Sequence, residues 1–408
     1  MKNSVVLLFL LFVISCAKNH QSMGKVNSPK KDSLDLALDS IYQQKSFAGF
    51  GVAIVDENGV LYENGFGFAD ISNGKKYTPH AIQNIASVSK LFVGIAVVKA
   101  QELGKLNLDD AIGKYLPFEV VNPNFPDEKI TIRHLVTHTS SIGDNEFYLS
   151  KNYFVKPGQN LDGLKTVIDE EQILNTEEAK ASMESFLKDM LTADGKWYNE
   201  HSFLQHKPGE IYEYSNMATT LAAFIVEHAT GKSFDEFTKE YILDPLKMND
   251  SGWKFEQINY QNFSTLYENP MTPVAHYDMI TYPDGGFITS VHDLGKFLSE
   301  LIKGYNGKGR ILSKKGYDIY FEPQLNADNF IDRNERNPYS EAYNVGVFAG
   351  YSYMGNIGHT GGDPGVTSIM FFNPEENIGR ILLVNTNVTD KAGMDAFYGI
   401  MDLLGKFK

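Results

Sequence analysis

Strand-forming runs stand near both ends of the chain and helical periodicity fills the stretch between them. No other feature of the 408 residues constrains the fold as much. Phe50–Val55 is an unbroken apolar run, Asp56-Glu57-Asn58-Gly59 makes a turn, and a second strand continues from Val60 to about Phe68. That pattern predicts a β-hairpin whose first strand is buried on both faces. Towards the other end, Asn344–Ala349, Tyr353–Gly358, Val366–Phe372 and Ile378–Asn385 read as strands. A last helix over Asp390–Leu404 places Met394, Phe397, Met401 and Leu404 on one face. Between the ends the spacing predicts helices over Val88–Leu103 and Met217–Thr230, each stopped by a glycine, and over Ser233–Ile242. Ser290-Val291-His292-Asp293 opens another that reaches about Ile302, and Ser33 caps a first helix carrying Leu34, Leu38 and Ile41. The expected fold is α+β, an α/β sandwich in which one antiparallel sheet, completed by both chain ends, is flanked by helices. The sheet lobe would take about residues 33–117 and 271–408, and a mainly helical lobe about 118–270. Residues 143–200 are charged and irregular and read as an insertion of undisclosed role.

A net charge of −14, which becomes −15 for a chain starting at Cys16, repels phosphate backbones and excludes nucleic-acid binding as the main activity. The only cysteine, Cys16, removes disulfide scaffolds, Cys-ligated zinc and iron–sulfur clusters. Val5–Ile14 is a ten-residue apolar run behind Lys2, too short to span a bilayer. It ends in Val13-Ile14-Ser15-Cys16, which resembles the lipobox of bacterial lipoproteins. The resemblance implies a signal peptide over 1–15, lipid on Cys16, a polar tether over 16–32 and a catalytic domain over 33–408. The protein would then be exported and held on a bacterial envelope membrane. A plain signal peptide or a short anchor helix is the alternative.

Acyl transfer at neutral pH needs a nucleophile, a base within hydrogen-bond reach and donors for the oxyanion. Ser87-Val88-Ser89-Lys90 offers the first two, because residues i and i+3 of a helix share a face. Seven Ser-x-x-Lys matches occur, at Ser15, Ser22, Ser28, Ser72, Ser87, Ser185 and Ser251, so the tetrad alone decides nothing. Only Ser87 opens a long apolar helix shortly after a strand–turn–strand unit.

Around it, Ile85-Ala86-Ser87-Val88-Ser89-Lys90 and Leu103-Gly104-Lys105-Leu106-Asn107-Leu108-Asp109-Asp110 are followed by Ile132-Arg133-His134-Leu135-Val136-Thr137-His138-Thr139-Ser140. Pro208-Gly209, Tyr214-Ser215-Asn216, Asp284-Gly285-Gly286-Phe287 and His359-Thr360-Gly361-Gly362 come next, in that order. The set resembles the serine β-lactamase and penicillin-binding-protein superfamily, in its class C-like branch, over about residues 47–408. The resemblance implies that Ser87 is acylated, that Lys90 holds it, and that Tyr214 serves as base and then acid. A tyrosine with a pKa near ~10 can do so only with cationic neighbours lowering that value. It also implies an oxyanion hole from the backbone of Ser87 and Gly362, substrate contacts from Asn216, His359, Thr360 and Gly361, and no metal or organic cofactor. Ser141 stands where members of the superfamily commonly have glycine. His134 and His138, at i and i+4, leave zinc as an alternative that lacks the glutamate of a metalloprotease helix. His359 replaces the lysine typical of β-lactamases and D-alanyl-D-alanine peptidases, so a substrate's free carboxylate is attracted less.

The expected function is a serine hydrolase that forms an acyl-enzyme from an ester or amide, a D-amino-acid peptide or small acyl ester being the expected type. The partners are then a small-molecule or peptide substrate and, through the lipid, a membrane. A β-lactamase or D-alanyl-D-alanine carboxypeptidase is one alternative. A non-catalytic lipoprotein that binds cell-wall peptides, with Ser87 a mere helix cap, is another. Oligomeric state is not legible.

Overall fold

A computed structural model describes residues 31–330, 344–352 and 355–407. The signal peptide, Cys16 and nearly all of the tether lie outside the described residues, as does the start of the strand expected at Tyr353. In chain order the main elements are α1 (Lys31–Tyr42), β1 (Gly49–Asp56), β2 (Gly59–Asp70), β3 (Lys75–Lys76), α2 (Lys90–Glu102) and α3 (Asn216–Thr230). After them come α4 (Val291–Tyr305), β4 (Asn344–Val345), β5 (Gly350–Tyr351), β6 (Ile357–Asp363), β7 (Val366–Asn373), β8 (Ile378–Val384) and α5 (Lys391–Gly405). The eight strands form one antiparallel sheet in the order β4-β5-β6-β7-β8-β1-β2-β3. The two ends of the chain meet in it: β1 pairs with β8 from Phe50↔Val384 to Val55↔Gly379.

Strand alternation divides the core between the two faces of the sheet. Phe50, Val52 and Ile54 of β1 pack with Leu34 and Leu38 of α1 and with Phe397 and Ile400 of α5. Ala53 and Val55 face the other way, onto Leu294 and Leu298 of α4 and the larger core that includes α2 and α3. Every residue of β1 except Asp56 is buried, as its unbroken apolar run predicts. Most of α2 is buried too, including Leu91, Phe92, Val93, Ile95, Ala96, Val97 and Val98. A helix apolar nearly all round belongs inside, and α2 carries the site's lysine into the centre of the molecule.

Two strands differ from expectation. Asn344–Ala349 is not one strand, because Val347 N–H bonds Tyr320 O and Phe348 N–H bonds Val136 O, which draws the backbone off the sheet at Phe348 (φ 58°). Tyr353–Gly358 overlaps only the start of β6, which runs on to Asp363. The run His359-Thr360-Gly361-Gly362 has too little β propensity to reveal a strand locally; its pairing with β7, from Ile357↔Phe372 to Asp363↔Val366, forms one. The helix expected over Ser233–Ile242 is α-helical only over Phe234–Thr238 and widens into a π turn over Lys239–Leu243. Residues 143–200 contain the helices Phe147–Asn152 and Met183–Leu191 and a strand, Tyr153–Val155, that pairs with Tyr277–Met279. No described helix is long and apolar enough to cross a membrane.

Candidate active site

Ser87 lies in a 3-10 turn, Ala86–Ser89, that leads into α2, rather than at the first turn of the α-helix itself. Ala86 adopts φ 49°, a left-handed conformation that an alanine holds only under constraint. The constraint is a set of local bonds: Ser89 Oγ donates to Ala86 O (2.6 Å), Phe287 N–H donates to Ser89 Oγ (3.1 Å), and Ser368 Oγ donates to Ile85 O (2.7 Å). Ser89 therefore shapes the turn.

Lys90 is fully buried. Its Nζ lies 3.0 Å from Ser87 Oγ, 2.7 Å from Asn216 Oδ1 and 2.7 Å from Asp284 O. The last two partners can only accept. An ammonium would donate to all three oxygens; a free amine would give its two N–H groups to Asn216 and Asp284 and turn its lone pair to the serine. Burial pushes the Lys90 pKa below the usual lysine range, against the opposing charges of Asp284, Asp144 and Asp363. The site can thus hold the amine in the form that accepts a proton from Ser87.

The Asn216 amide is oriented by Asp144, a residue that sequence reasoning passed over. Asn216 Nδ2 donates to Asp144 Oδ2 (2.8 Å), which leaves Oδ1 for Lys90. The same carboxylate accepts from the N–H groups of Asn216 (2.9 Å) and Met217 (2.9 Å) and from Ser215 Oγ (3.1 Å). Ser215 is the N-cap of α3, so Asp144 supplies the anion that a helix start favours.

The Tyr214 ring centre is 5.1 Å from Lys90 Nζ, and the Ser87 hydroxyl is near enough to the phenol to oppose the rise of its pKa. The expectation that cationic neighbours lower its pKa is not met: burial raises it well above the usual range, and Asp284, Asp144 and Asp363 add to the effect. Tyr214 is a neutral phenol in the resting site. His138 grips it from three sides. The imidazole lies against the phenol (ring centres 4.5 Å apart), His138 O accepts from Glu213 N–H (2.8 Å), and His138 Nδ1 accepts from Ser215 N–H (3.2 Å). That last bond puts the ring proton on Nε2. Burial, then Lys90 and His359, hold the His138 pKa well below the usual histidine value. His134 accepts from a different backbone N–H, that of Thr131 (3.3 Å), so the two imidazoles serve separate segments. Ser141 takes φ 60°, the conformation that favours glycine, with its Oγ accepting from Asn122 Nδ2 (2.9 Å).

Strand β6 closes the site. A Cβ on Gly361 would stand 2.9 Å from Ser87 N and 2.6 Å from Ile85 O, so only glycine fits there. Side chains two apart share a face of a strand; His359, Gly361 and Asp363 face the nucleophile, while Thr360 and Gly362 turn away. The pairing with β5 ends at Gly358, so beyond it the far edge of β6 has no partner strand among the described residues. The His359 ring lies 6.1 Å from Tyr214, with Nδ1 against Thr360 O. Burial and Lys90 lower its pKa to about 4. Burial raises Asp284 to about 6, although Tyr148 OH (3.0 Å) and Thr220 Oγ1 (2.8 Å) donate to it.

A helix-flanked antiparallel sheet with serine, lysine and tyrosine gathered at the start of its central helix is the architecture of a class rich in serine hydrolases. The profile of the Beta-lactamase family matches residues 34–404, and the chain belongs to that family. "Protein flp" of Staphylococcus aureus (strain MW2) is 24% identical over 373 residues, covering 89% of this chain and 64% of its own length. "Penicillin-binding protein 4*" of Bacillus subtilis (strain 168) is 24% identical over 365 residues, covering 84% of this chain and 68% of its own. The chain thus spans less than two thirds of flp. Among solved structures, a "Beta-lactamase/D-alanine Carboxypeptidase" from Yersinia pestis superposes with TM-score 0.65 at 20% identity, over 91% of this chain and 99% of the other. The expected fold and the expected superfamily both hold.

Proposed function

We propose that the protein is a serine hydrolase that acylates Ser87 with an ester or amide substrate and releases the product to water. The observation that carries this is the placement of Lys90 Nζ: two pure acceptors take two of its N–H groups, and Ser87 Oγ occupies the third direction at 3.0 Å. The free amine takes the Ser87 proton as Oγ attacks the carbonyl carbon. Tyr214 is the acid: its phenol gives a proton to the departing oxygen or nitrogen and is resupplied from Lys90. Water then attacks the ester by the reverse route. The base role moves from a Tyr214 phenolate to Lys90 because the surroundings disfavour the phenolate. The N–H groups of Ser87 and Gly362 form the oxyanion hole, each stabilising the transition state by ~3 kcal/mol.

The test is labelling with a fluorophosphonate and with fluorescent penicillin, the adduct being located by mass spectrometry. Labelling should fall on Ser87 and vanish in Ser87→Ala; an adduct on another serine would overturn the assignment. Lys90→Ala and Tyr214→Phe should each lower kcat by several orders of magnitude, with the double variant little worse. Residual activity in Tyr214→Phe should keep the acid limb of the pH–rate profile. Efficient penicillin turnover would favour the β-lactamase reading instead. For location, we propose lipid on Cys16 and export to the envelope. Cys16→Ser should then accumulate as precursor or soluble protein, and an unmutated protein found soluble without detergent would refute it.

A further inference from the structure

The two flanks of Ser87 along β6 carry different charge. His359 and Asp363 stand about 7 Å to either side of Gly361 on the face turned to the nucleophile. His359 is neutral at pH 7, as its lowered pKa requires. Asp363 is half-buried and fixed by one oxygen only: Tyr153 OH donates to Oδ1 at 2.6 Å. Its Oδ2 is 3.0 Å from where a Gly285 Cβ would be, beside the Asp284 carbonyl that holds Lys90, and accepts from no described group. No described Lys, Arg or His lies within ion-pair distance of it. Lys90, the cation whose field it does feel, is already committed to Ser87, Asn216 and Asp284. Burial, with Asp284 adding to it, pushes the Asp363 carboxyl up to about 7, as expected of a carboxylate lacking a counter-ion. Asp144, Asp284 and Asp363 all act on the one cation Lys90, so an anionic acyl group would find no uncommitted counter-charge there.

We propose that Asp363 is a specificity-determining residue that receives a substrate ammonium, so that the preferred substrates are amino-acid esters or amides, or peptides, with a free α-amino group. The inference rests on the hydrolase reading of Ser87 and names the substrate class for that same site. An α-ammonium nitrogen is two bonds from the carbonyl carbon that Ser87 attacks, and Gly362, whose N–H would hold the carbonyl oxygen, is the residue before Asp363. The free Oδ2 would accept one ammonium N–H while Tyr153 keeps the other oxygen from swinging away. An uncharged hydroxyl at the same place could still donate to the carboxylate, but the attraction between two full charges would be lost.

The test compares p-nitrophenyl esters of alanine, in both enantiomers, with those of lactic acid, which put a hydroxyl where alanine has its ammonium. Measured from about pH 6.5 to about 8, a range that brackets the Asp363 carboxyl, on wild type, Asp363→Asn and Asp363→Ser, the quantity read is the alanyl-to-lactyl ratio of kcat/KM. Comparing ratios between proteins cancels the intrinsic reactivity of the two esters. The ratio should fall about tenfold or more in both variants, and a ratio unchanged in both would overturn the proposal. Fluorophosphonate labelling of each protein separates the two failures. Labelled Ser87 with an unchanged ratio rejects only the Asp363 assignment. Absence of labelling and of turnover rejects the hydrolase reading, and this inference with it.

Discussion

His138 occupies an unusual position: a non-glycine residue with φ 55°, buried, touching the proposed acid on its ring face and through the peptides on both sides. Replacing it by phenylalanine would keep a ring but leave Ser215 N–H buried without an acceptor, at a cost of about 1–3 kcal/mol. His138→Phe should therefore lower Tm and also lower kcat, by about 10- to 100-fold if Tyr214 moves by as little as ~1 Å. An unchanged kcat with a lowered Tm would show that His138 supports the fold only. At the neighbouring ring, the depressed pKa of His359 means that a neutral imidazole faces the acyl pocket at pH 7. His359→Lys restores a cation there. It should raise kcat/KM for a carboxylate-bearing substrate over that for its neutral ester by about tenfold, or ~1.4 kcal/mol. The added charge would also depress Lys90 further and shift the acid limb of the profile to lower pH. A ratio that stays constant from about pH 6 to 9 would place residue 359 away from the substrate carboxylate.

Among the elements, α3 depends on a residue far from it along the chain. Its start is held by Asp144, 73 positions before Met217, through four donors that include the Asn216 amide. Asp144→Ala should cost ~2–4 kcal/mol, less than four full bonds because water can reach this half-buried site. It should lower kcat as well, since Asn216 is then free to turn its NH2 towards Lys90; Asp144→Asn should recover part of both. Thermal melts and single-turnover kinetics would check this, and a loss of stability without any loss of rate would refute the orienting role. The dependence on Asp144 also shows what the sequence concealed. Ser87 and Lys90 were legible because they lie three residues apart on one turn, and the hairpin because Asp56–Gly59 forms its turn locally. Sheet closure by the two chain ends was legible from their apolar runs. Asp144, Tyr148 and Tyr153 lie in a charged, irregular stretch whose partners are α3, Asp284 and Asp363, between 71 and 210 residues away along the chain, so no local pattern marks them. β6 was misplaced for a related reason: Gly361 serves the close approach of Ser87 and Gly358 that of β7, and a glycine-rich run signals no strand.

At the scale of the whole molecule, the site should act against the stability of the fold, and the sign can be followed group by group. Asp363 has a folded pKa raised to about 7 from an ordinary 3.8, so the folded state binds a proton that the unfolded chain releases. Its contribution is most favourable below about pH 4 and is lost as pH rises through 7; Asp284, raised to about 6, behaves alike. His359, lowered to about 4, works the other way: stability present above about pH 6.5 is lost as pH falls towards 4. The wild-type profile therefore mixes opposed slopes and is uninformative alone. A difference between two proteins isolates one group. Asp363→Asn keeps an acceptor for Tyr153 OH but cannot ionise, so its stability relative to wild type should rise from about pH 4 to 7 and then level off. Urea unfolding midpoints of both proteins, taken at half-unit steps over that range, give the difference directly. A difference independent of pH would mean that the Asp363 carboxylate is as well solvated in the folded protein as in the unfolded chain. It would then have no need of a substrate ammonium to compensate its burial, and the electrostatic argument for its role in specificity would fail with it.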